Sequence, residues 1–269
     1  MGLGKNILDR RKELHMTQGN LAEKVGVSIE AVSGWEKEKY SPSADNLVAL
    51  AEVLNTTVDK LTGGEDWAMN SRIFNERNMS AFLKGKLSGE EWQMSAAAIS
   101  IAKQYHAGVF RDGAGTVPYI NHPLTLACQA FAMGIADDSL VAALLLHDVV
   151  EDNRERISFI DLPVDQRTRE VIILVTKNKA DPHFSEEKYY AAIRNDPLAC
   201  LVKCMDRCNN LSTMYCGFTL AKIREYIRET EEYIMPLLHI VKETPKYNNA
   251  AWLLNYQMNS IINAYKRML

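Results

Sequence analysis

Apolar residues along the chain recur at intervals of three and four, the spacing that gathers them on one side of an α-helix. Over residues 5–62, Leu8, Leu14, Leu21, Ala22, Val25, Val32, Trp35, Leu47, Leu50, Ala51 and Leu54 mark short amphipathic helices with a shared core. Thr17 is placed to cap a helix over Gln18–Val25, Gly26 to end it and Ser28 to cap the next. Ser41-Pro42-Ser43 breaks the chain before a restart at Ala44, and Gly63-Gly64-Glu65-Asp66 closes the unit. Residues 67–92 are mixed, with breaks at Gly85 and Ser88-Gly89; helical periodicity then dominates 93–269. No segment alternates apolar and polar residues as a half-buried strand does. The pattern predicts an all-α protein: a small bundle over 1–64, a helical linker over 65–92 and a larger all-helical domain over 93–269, ending in an amphipathic helix.

Composition narrows this picture. At 269 residues, 47% hydrophobic and 24% charged, the chain is ordinarily globular, which excludes a disordered or collagen-like protein. Lys and Arg number 31 against 34 Asp and Glu, a net charge of −3, so no basic excess advertises nucleic acid. Five cysteines are too few and too oddly counted for a disulfide scaffold. No signal-peptide core precedes the first helix, Asn6 spoils a myristoylation motif, and the longest apolar runs, such as 141–146, fall short of the ~20 residues that span a bilayer. A cytoplasmic protein without membrane contact is expected.

The first 64 residues carry a specific pattern: Thr17-Gln18-x-x-Leu21-Ala22, Gly26-Val27-Ser28, Val32-Ser33-x-Trp35-Glu36, Ser41-Pro42-Ser43 and Leu47-x-x-Leu50-Ala51. This resembles the Cro/CI (XRE-type) helix-turn-helix family across essentially all of 5–62. The resemblance implies DNA binding through a second helix laid in a major groove. Gln18 and Ser28 would then meet phosphate, Glu30, Ala31, Ser33 and Gly34 would face base edges, and Lys37 and Lys39 would touch the backbone. Glu36 would pair internally with Arg10 or Arg11. Charge limits the affinity, because this stretch holds 8 basic and 9 acidic residues and phosphate neutralisation supplies most non-specific binding.

Three clusters in the larger domain carry chemistry. One runs from His106 through Arg111-Asp112-Gly113 to Pro118-Tyr119-Ile120-Asn121-His122-Pro123; the second is Leu144-Leu145-Leu146-His147-Asp148-Val149-Val150-Glu151-Asp152; the third is Lys203-x-x-Asp206-Arg207-x-x-Asn210-Leu211-x-Thr213. If helical, residues 147, 148, 151 and 152 share a face at the end of a buried apolar run. Such a concentration of ionisable groups is costly without a compensating cation. Adjacent imidazole and carboxylate suit Mn²⁺, Fe²⁺ or Zn²⁺ better than Mg²⁺ or Ca²⁺, and His122 and Asp206 are the natural further ligands.

The constellation resembles the HD superfamily of metal-dependent phosphohydrolases over about 95–240, and within it the (p)ppGpp hydrolase domain of RelA/SpoT homologues and small alarmone hydrolases. Tyr226-Ile227-x-Glu229-Thr230 and Tyr233-x-x-Pro236-Leu237 match the end of that domain. The resemblance implies that His122, His147, Asp148 and Asp206 bind Mn²⁺ or another divalent transition metal. Glu151 and Asp152 would position and deprotonate the attacking water. Arg111, Lys203, Asn210 and Thr213 would contact a guanosine pyrophosphate. Two departures lie where the family binds substrate: Asp112 replaces a basic residue, and the loop through Gly113-Ala114-Gly115-Thr116 is longer.

The leading expectation is a nucleotide pyrophosphohydrolase acting on the 3′-pyrophosphate of (p)ppGpp and coupled to DNA binding. The alternatives are a transcription regulator whose HD-like domain senses a nucleotide, and an HD phosphohydrolase on a dNTP or NADPH. A homodimer would suit a palindromic DNA site. The architecture would suit a phage or mobile element as well as a cell. Cys200, Cys204 and Cys208 recur every four residues and read as a buried helical stripe rather than metal ligands. His106 reads equally as a site residue or a structural one, and His183 and His239 have no evident partners.

Overall fold

The computed structural model describes residues 2–56, 58–62, 75–111, 117–178, 181–214 and 218–268, with Asp59 and Lys60 by backbone alone. Regular structure among the described residues is helical, apart from one isolated antiparallel bridge between Phe110 and Pro118. The chain is all-α, and it divides into two compact units, Met1–Arg72 and Ile73–Leu269.

The smaller unit contains helices Leu3–Glu13, Gln18–Val25, Ile29–Glu36, Ala44–Val53 and Val58–Leu61. Local signals set their ends. The Thr17 hydroxyl accepts from the Asn20 amide while the Asn20 side chain accepts from the Thr17 amide, a reciprocal cap. Gly26 ends that helix at φ 77°, a left-handed conformation that glycine adopts without a Cβ penalty. Ser28 and Ser43 cap the next two helices. Ile7, Leu21, Val32, Trp35, Leu50 and Leu54 form the core. Three expected core positions differ: Leu14 caps the end of the first helix and is exposed, Leu47 is half-buried, and Ile7 rather than Leu8 is fully buried.

Helix Glu76–Gly89 differs from expectation as well. Met79, Leu83 and Leu87, four residues apart, face the core of the larger unit, so this part of the expected linker packs on helices Gln93–Tyr105 and Asn121–Ala132. The rest of that linker, over 65–74, lies outside the described residues. At the centre runs Asp138–Leu146, in which every residue over 140–146 is buried. It packs against Gln93–Tyr105, Asn121–Ala132, Gln166–Val175 and the 17-residue helix Pro197–Thr213. Cys200, Cys204 and Cys208 are free buried thiols on that last helix, as its four-residue spacing predicts. Beyond it come Leu220–Glu229, a π-helical turn over Thr230–Ile234, Met235–Glu243 and the terminal helix Asn248–Met268. Met235–Glu243 and Asn248–Met268 pack on Pro197–Thr213 and on one another. No helix among the described residues is long and apolar enough to cross a membrane.

The expected continuous helix through His147 and Asp152 is broken. The central helix stops at Leu146, His147 and Asp148 form a turn, and Val149–Asp152 makes a separate short helix. From this turn His147 reaches His122 and Asp206, and Asp148 reaches His122, on the neighbouring helices.

Candidate active site

Three elements supply the metal-type ligands. His122 is the second residue of helix Asn121–Ala132, His147 and Asp148 occupy the turn, and Asp206 lies midway along Pro197–Thr213. His122 Nε2 lies 3.2 Å from Asp206 Oδ1 and 3.7 Å from Asp148 Oδ2. His147 Nε2 lies 2.9 Å from Asp148 Oδ2 and 3.7 Å from Asp206 Oδ1. The two Nε2 atoms are 3.3 Å apart.

These spacings fit a divalent cation. Ligands held at ~2.1 Å from a metal are ~3.0 Å apart in an octahedral arrangement and ~3.4 Å apart in a tetrahedral one. The tautomers fit as well. His122 Nδ1 donates to Asn209 Oδ1 at 2.8 Å, and His147 Nδ1 donates to the Leu144 carbonyl at 2.9 Å. With Nδ1 donating outward, each ring can offer its Nε2 lone pair to a cation at the shared centre, the arrangement that outer partners impose on metal-binding histidines. His122, His147 and Asp206 are buried, and their ligand atoms all lie within 4.8 Å of one another.

The electrostatics demand positive charge at this point. Burial alone would lower the His147 pKa, yet Asp148 and Asp206 raise it well above the imidazole range. Burial would raise Asp206, but Lys203 and the two imidazoles hold it well below the carboxylate range. Asp148 is lowered against burial chiefly by His147.

The remaining expected residues fall into an outer ring. Glu151 Oε2 accepts from the Lys177 amide at 2.7 Å, and burial raises its carboxyl against that bond. Asp152 is exposed at the rim; desolvation, then Asp148 and Glu151, push its carboxyl up to about 7. Lys203 Nζ holds Asp206 Oδ2 at 3.1 Å, and Asn210 Nδ2 donates to Asp206 Oδ1 at 2.6 Å. Arg111 donates to Asn209 Oδ1 at 3.1 Å and to Asn210 Oδ1. Its place is set by the bridge beside it, where the Arg111 amide bonds the Val117 carbonyl and the Tyr119 amide bonds the Val109 carbonyl. Thr213 shares the helix with Asp206 and Asn210, but its hydroxyl bonds the Asn209 carbonyl. Asp112 and the longer loop lie outside the described residues.

Two residues had no role assigned from the sequence. Tyr119 donates to Asp148 Oδ2 at 2.6 Å, and Asn209 carries both His122 and Arg111 on one oxygen. Their spacing, three residues from His122 and from Asp206, is the signal that could have found them. His106 is buried against the Tyr119 ring, centroids 4.8 Å apart, and burial lowers its pKa to about 4.

In the smaller unit the expected DNA-contacting residues are partly open. Ser28, Glu30 and Lys37 are exposed, and Ala31 and Ser33 are half-buried. Gln18 Nε2 donates to Glu36 Oε2 at 2.8 Å, and that carboxylate pairs with Arg11 at 2.6 and 3.0 Å, which selects Arg11 over Arg10. Gly34 does not face outward as expected. It is buried under Tyr40, whose ring stands 2.4 Å from where a Cβ would lie.

Comparison with known proteins covers both units. A helix-turn-helix family model, HTH_3, matches residues 7–61. Guanosine-3′,5′-bis(diphosphate) 3′-pyrophosphohydrolase MESH1 of Xenopus tropicalis is 31% identical over 147 residues, 52% of this chain and 82% of that protein. The chain belongs to the MESH1 family of hydrolases. The Aquifex aeolicus guanosine-3′,5′-bis(diphosphate) 3′-pyrophosphohydrolase is 32% identical over 127 residues, 45% of this chain but only 18% of that protein's length. Repressor protein C2 of Salmonella phage P22 is 27% identical over 142 residues, 52% of this chain and 60% of the repressor. The protein thus joins a hydrolase of the MESH1 family to a helix-turn-helix domain.

Proposed function

We propose that the chain is a Mn²⁺-dependent hydrolase that releases pyrophosphate from the 3′ position of guanosine 3′,5′-bis(diphosphate), joined to a DNA-binding unit. The observation that carries this reading is the convergence of four lone-pair donors, from His122, His147, Asp148 and Asp206, close in the chain to the carboxylates of Glu151 and Asp152. The names of the relatives supply the substrate. When bound to those four atoms, the metal supplies a lowered pKa for a water and polarisation of a phosphorus–oxygen bond.

The protein's own groups do the rest. Glu151, fixed by the Lys177 amide, orients the water, and Asp152 accepts its proton. The water oxygen bonds to the phosphorus beside the ribose 3′-oxygen. The phosphorus–O3′ bond breaks, and the 3′-oxygen leaves with a proton as a hydroxyl. Arg111 and Asn210 are half-buried at the rim of the centre, where they meet the guanosine and its phosphates. Lys203, nine-tenths buried on Asp206, acts on the nucleotide through that ligand. Thr213, half-buried one helical turn beyond Asn210, lines the nucleoside side.

The helix-turn-helix unit and the likeness to a phage repressor support DNA binding, with Ser28, Glu30, Ala31, Ser33 and Lys37 toward the groove. Its near-neutral charge predicts modest, salt-sensitive retention. A screen of (p)ppGpp, dNTPs and NADPH with Mn²⁺ tests the reading. Pyrophosphate release from (p)ppGpp is expected. No turnover of any of them, together with DNA retention altered by one of them, would replace the enzyme by a nucleotide-sensing regulator.

A further inference from the structure

Behind the metal-type centre lies a second polar cluster that the proposed reaction does not use. Its hub is Glu229, the last residue before the π-helical turn Thr230–Ile234. One carboxylate oxygen, Oε1, receives Lys177 Nζ at 2.7 Å, Arg207 Nη2 at 2.8 Å and the Tyr190 hydroxyl at 2.7 Å. Arg207 also reaches the Tyr226 carbonyl and the Thr230 hydroxyl, and its guanidinium stacks 3.8 Å over the Tyr226 ring. Glu186 holds Lys177 Nζ from the other side at 3.2 Å. The side chains of Lys177, Arg207 and Glu229 are 11%, 3% and 13% exposed, so bulk water screens these contacts little.

Both cations at this hub adjoin the reaction centre. Arg207 follows Asp206, and the helix points the two side chains in different directions, Asp206 to the metal-type ligands and Arg207 to Glu229. Lys177 gives its backbone amide to Glu151. The same short segment holds the end of the 147–154 stretch: Arg154 donates to the Lys177 carbonyl at 2.6 Å and to Asn178 Oδ1, while the Thr176 hydroxyl lies 3.5 Å from the His147 carbonyl and donates to the Ile172 carbonyl at 2.8 Å. Residues 176–178 therefore form a cradle beside the turn of His147 and Asp148 and under the short helix that carries Glu151. The Lys177 side chain pins that cradle to Glu229. Single π turns within α-helices cluster at functional sites, and this one begins where the carboxylate must meet two cations from different elements.

We infer that Glu229 is a positioning residue: it fixes Glu151 relative to Asp206, through Lys177 on one side and Arg207 on the other. The inference rests on the proposed roles of Glu151 and Asp206. It adds that their separation is set by a buried ion cluster remote from the substrate. Removing the pin loosens the 176–178 cradle and lets Glu151 swing, while the four metal-type ligands keep their own partners.

Amide exchange on the full-length protein tests this independently of activity. In Lys177→Met and Glu229→Gln, exchange of the backbone amide at position 177, corrected for its intrinsic rate, is expected to quicken about tenfold or more. Exchange over Asn248–Met268 stays as in the wild type, and Lys177→Arg restores protection. With (p)ppGpp and Mn²⁺, kcat of Lys177→Met falls about tenfold while KM and the Mn²⁺-induced rise in Tm are retained. Unchanged protection of the position-177 amide in Lys177→Met overturns the inference, even if the enzyme turns over normally. Quickened exchange in a wild-type background that hydrolyses none of the nucleotides supports the cradle and rejects the proposed function. Should Glu229→Gln fail to fold, Lys177→Met, which keeps the Arg207–Glu229 pair, decides alone.

Discussion

The Nε2 atoms of His122 and His147 face one another at 3.3 Å, and each ring's other nitrogen already donates, one to Asn209 and one to the Leu144 carbonyl. Two lone pairs at that range, joined by two carboxylate oxygens, repel unless positive charge lies among them. Mn²⁺ should therefore stabilise the folded chain. At a hundred times its Kd, the metal contributes about 2.7 kcal/mol, a rise in Tm of about 5–10 °C for a domain of this size. His147→Ala should abolish the rise. A Tm indifferent to Mn²⁺ in the wild type would remove the basis for the centre.

Tyr119 offers a second test. Its hydroxyl bonds Asp148 Oδ2 at 2.6 Å, the oxygen that also faces both imidazoles. Tyr119→Phe keeps the ring against His106 and removes the bond. Loss of such an outer partner weakens metal binding by about 10–100-fold. Calorimetric titration with Mn²⁺ should show this; an unchanged Kd would assign Tyr119 to packing alone.

The pH profile should report Asp152. Crowding by burial, Asp148 and Glu151 takes its carboxyl to about 7, and its exposed position at the rim places the acid limb at or below that value. A proton acceptor must be ionised, and a cation beside Asp148 lowers the Asp152 carboxyl further, so kcat should rise with pH and level off by about 7. Asp152→Asn should lower kcat by about 10²–10³-fold and flatten that limb. Stability runs the other way. A carboxyl raised by folding contributes stability that is full below its unfolded pKa of about 3.9 and lost as pH rises through about 7. Metal-free Asp152→Asn should thus lose less stability over that range than the wild type, as urea midpoints would show.

In the smaller unit, Arg11 and Glu36 form a buried bidentate pair to which Gln18 adds a third bond. Arg11→Ala leaves Glu36 charged and enclosed, at a cost of about 3–5 kcal/mol, comparable to the whole stability of a domain this small. Amide exchange over residues 3–25 should become rapid, and DNA retention at low salt should vanish. Wild-type exchange in that variant would show the pair to be dispensable.

What could be read from the sequence, and what could not, divides along a physical line. Capping residues and helical spacing act locally, so Thr17, Gly26, Ser28 and Ser43 marked helix ends correctly. Met79, Leu83 and Leu87 show the same periodicity, but which core they join depends on Asn121–Ala132, forty residues away. The candidate ligands His122, His147, Asp148 and Asp206 stand out because their clusters are dense in ionisable groups. The break after Leu146, the Tyr119 bond and the Lys177 amide on Glu151 did not. A backbone amide leaves no signature in residue type, and nothing in the residues beside Gly34 marks Tyr40, six positions on, as its cover.

The central claim is that these four ligands and their carboxylate neighbours make a metal-dependent pyrophosphohydrolase. Pyrophosphate release from (p)ppGpp by the full chain, with and without Mn²⁺, tests it most directly when wild type and Asp148→Ala are run side by side. Mn²⁺-dependent release by the wild type and none above background by Asp148→Ala is the predicted result. Robust release by Asp148→Ala, or release by the wild type that withstands a chelator, would contradict it.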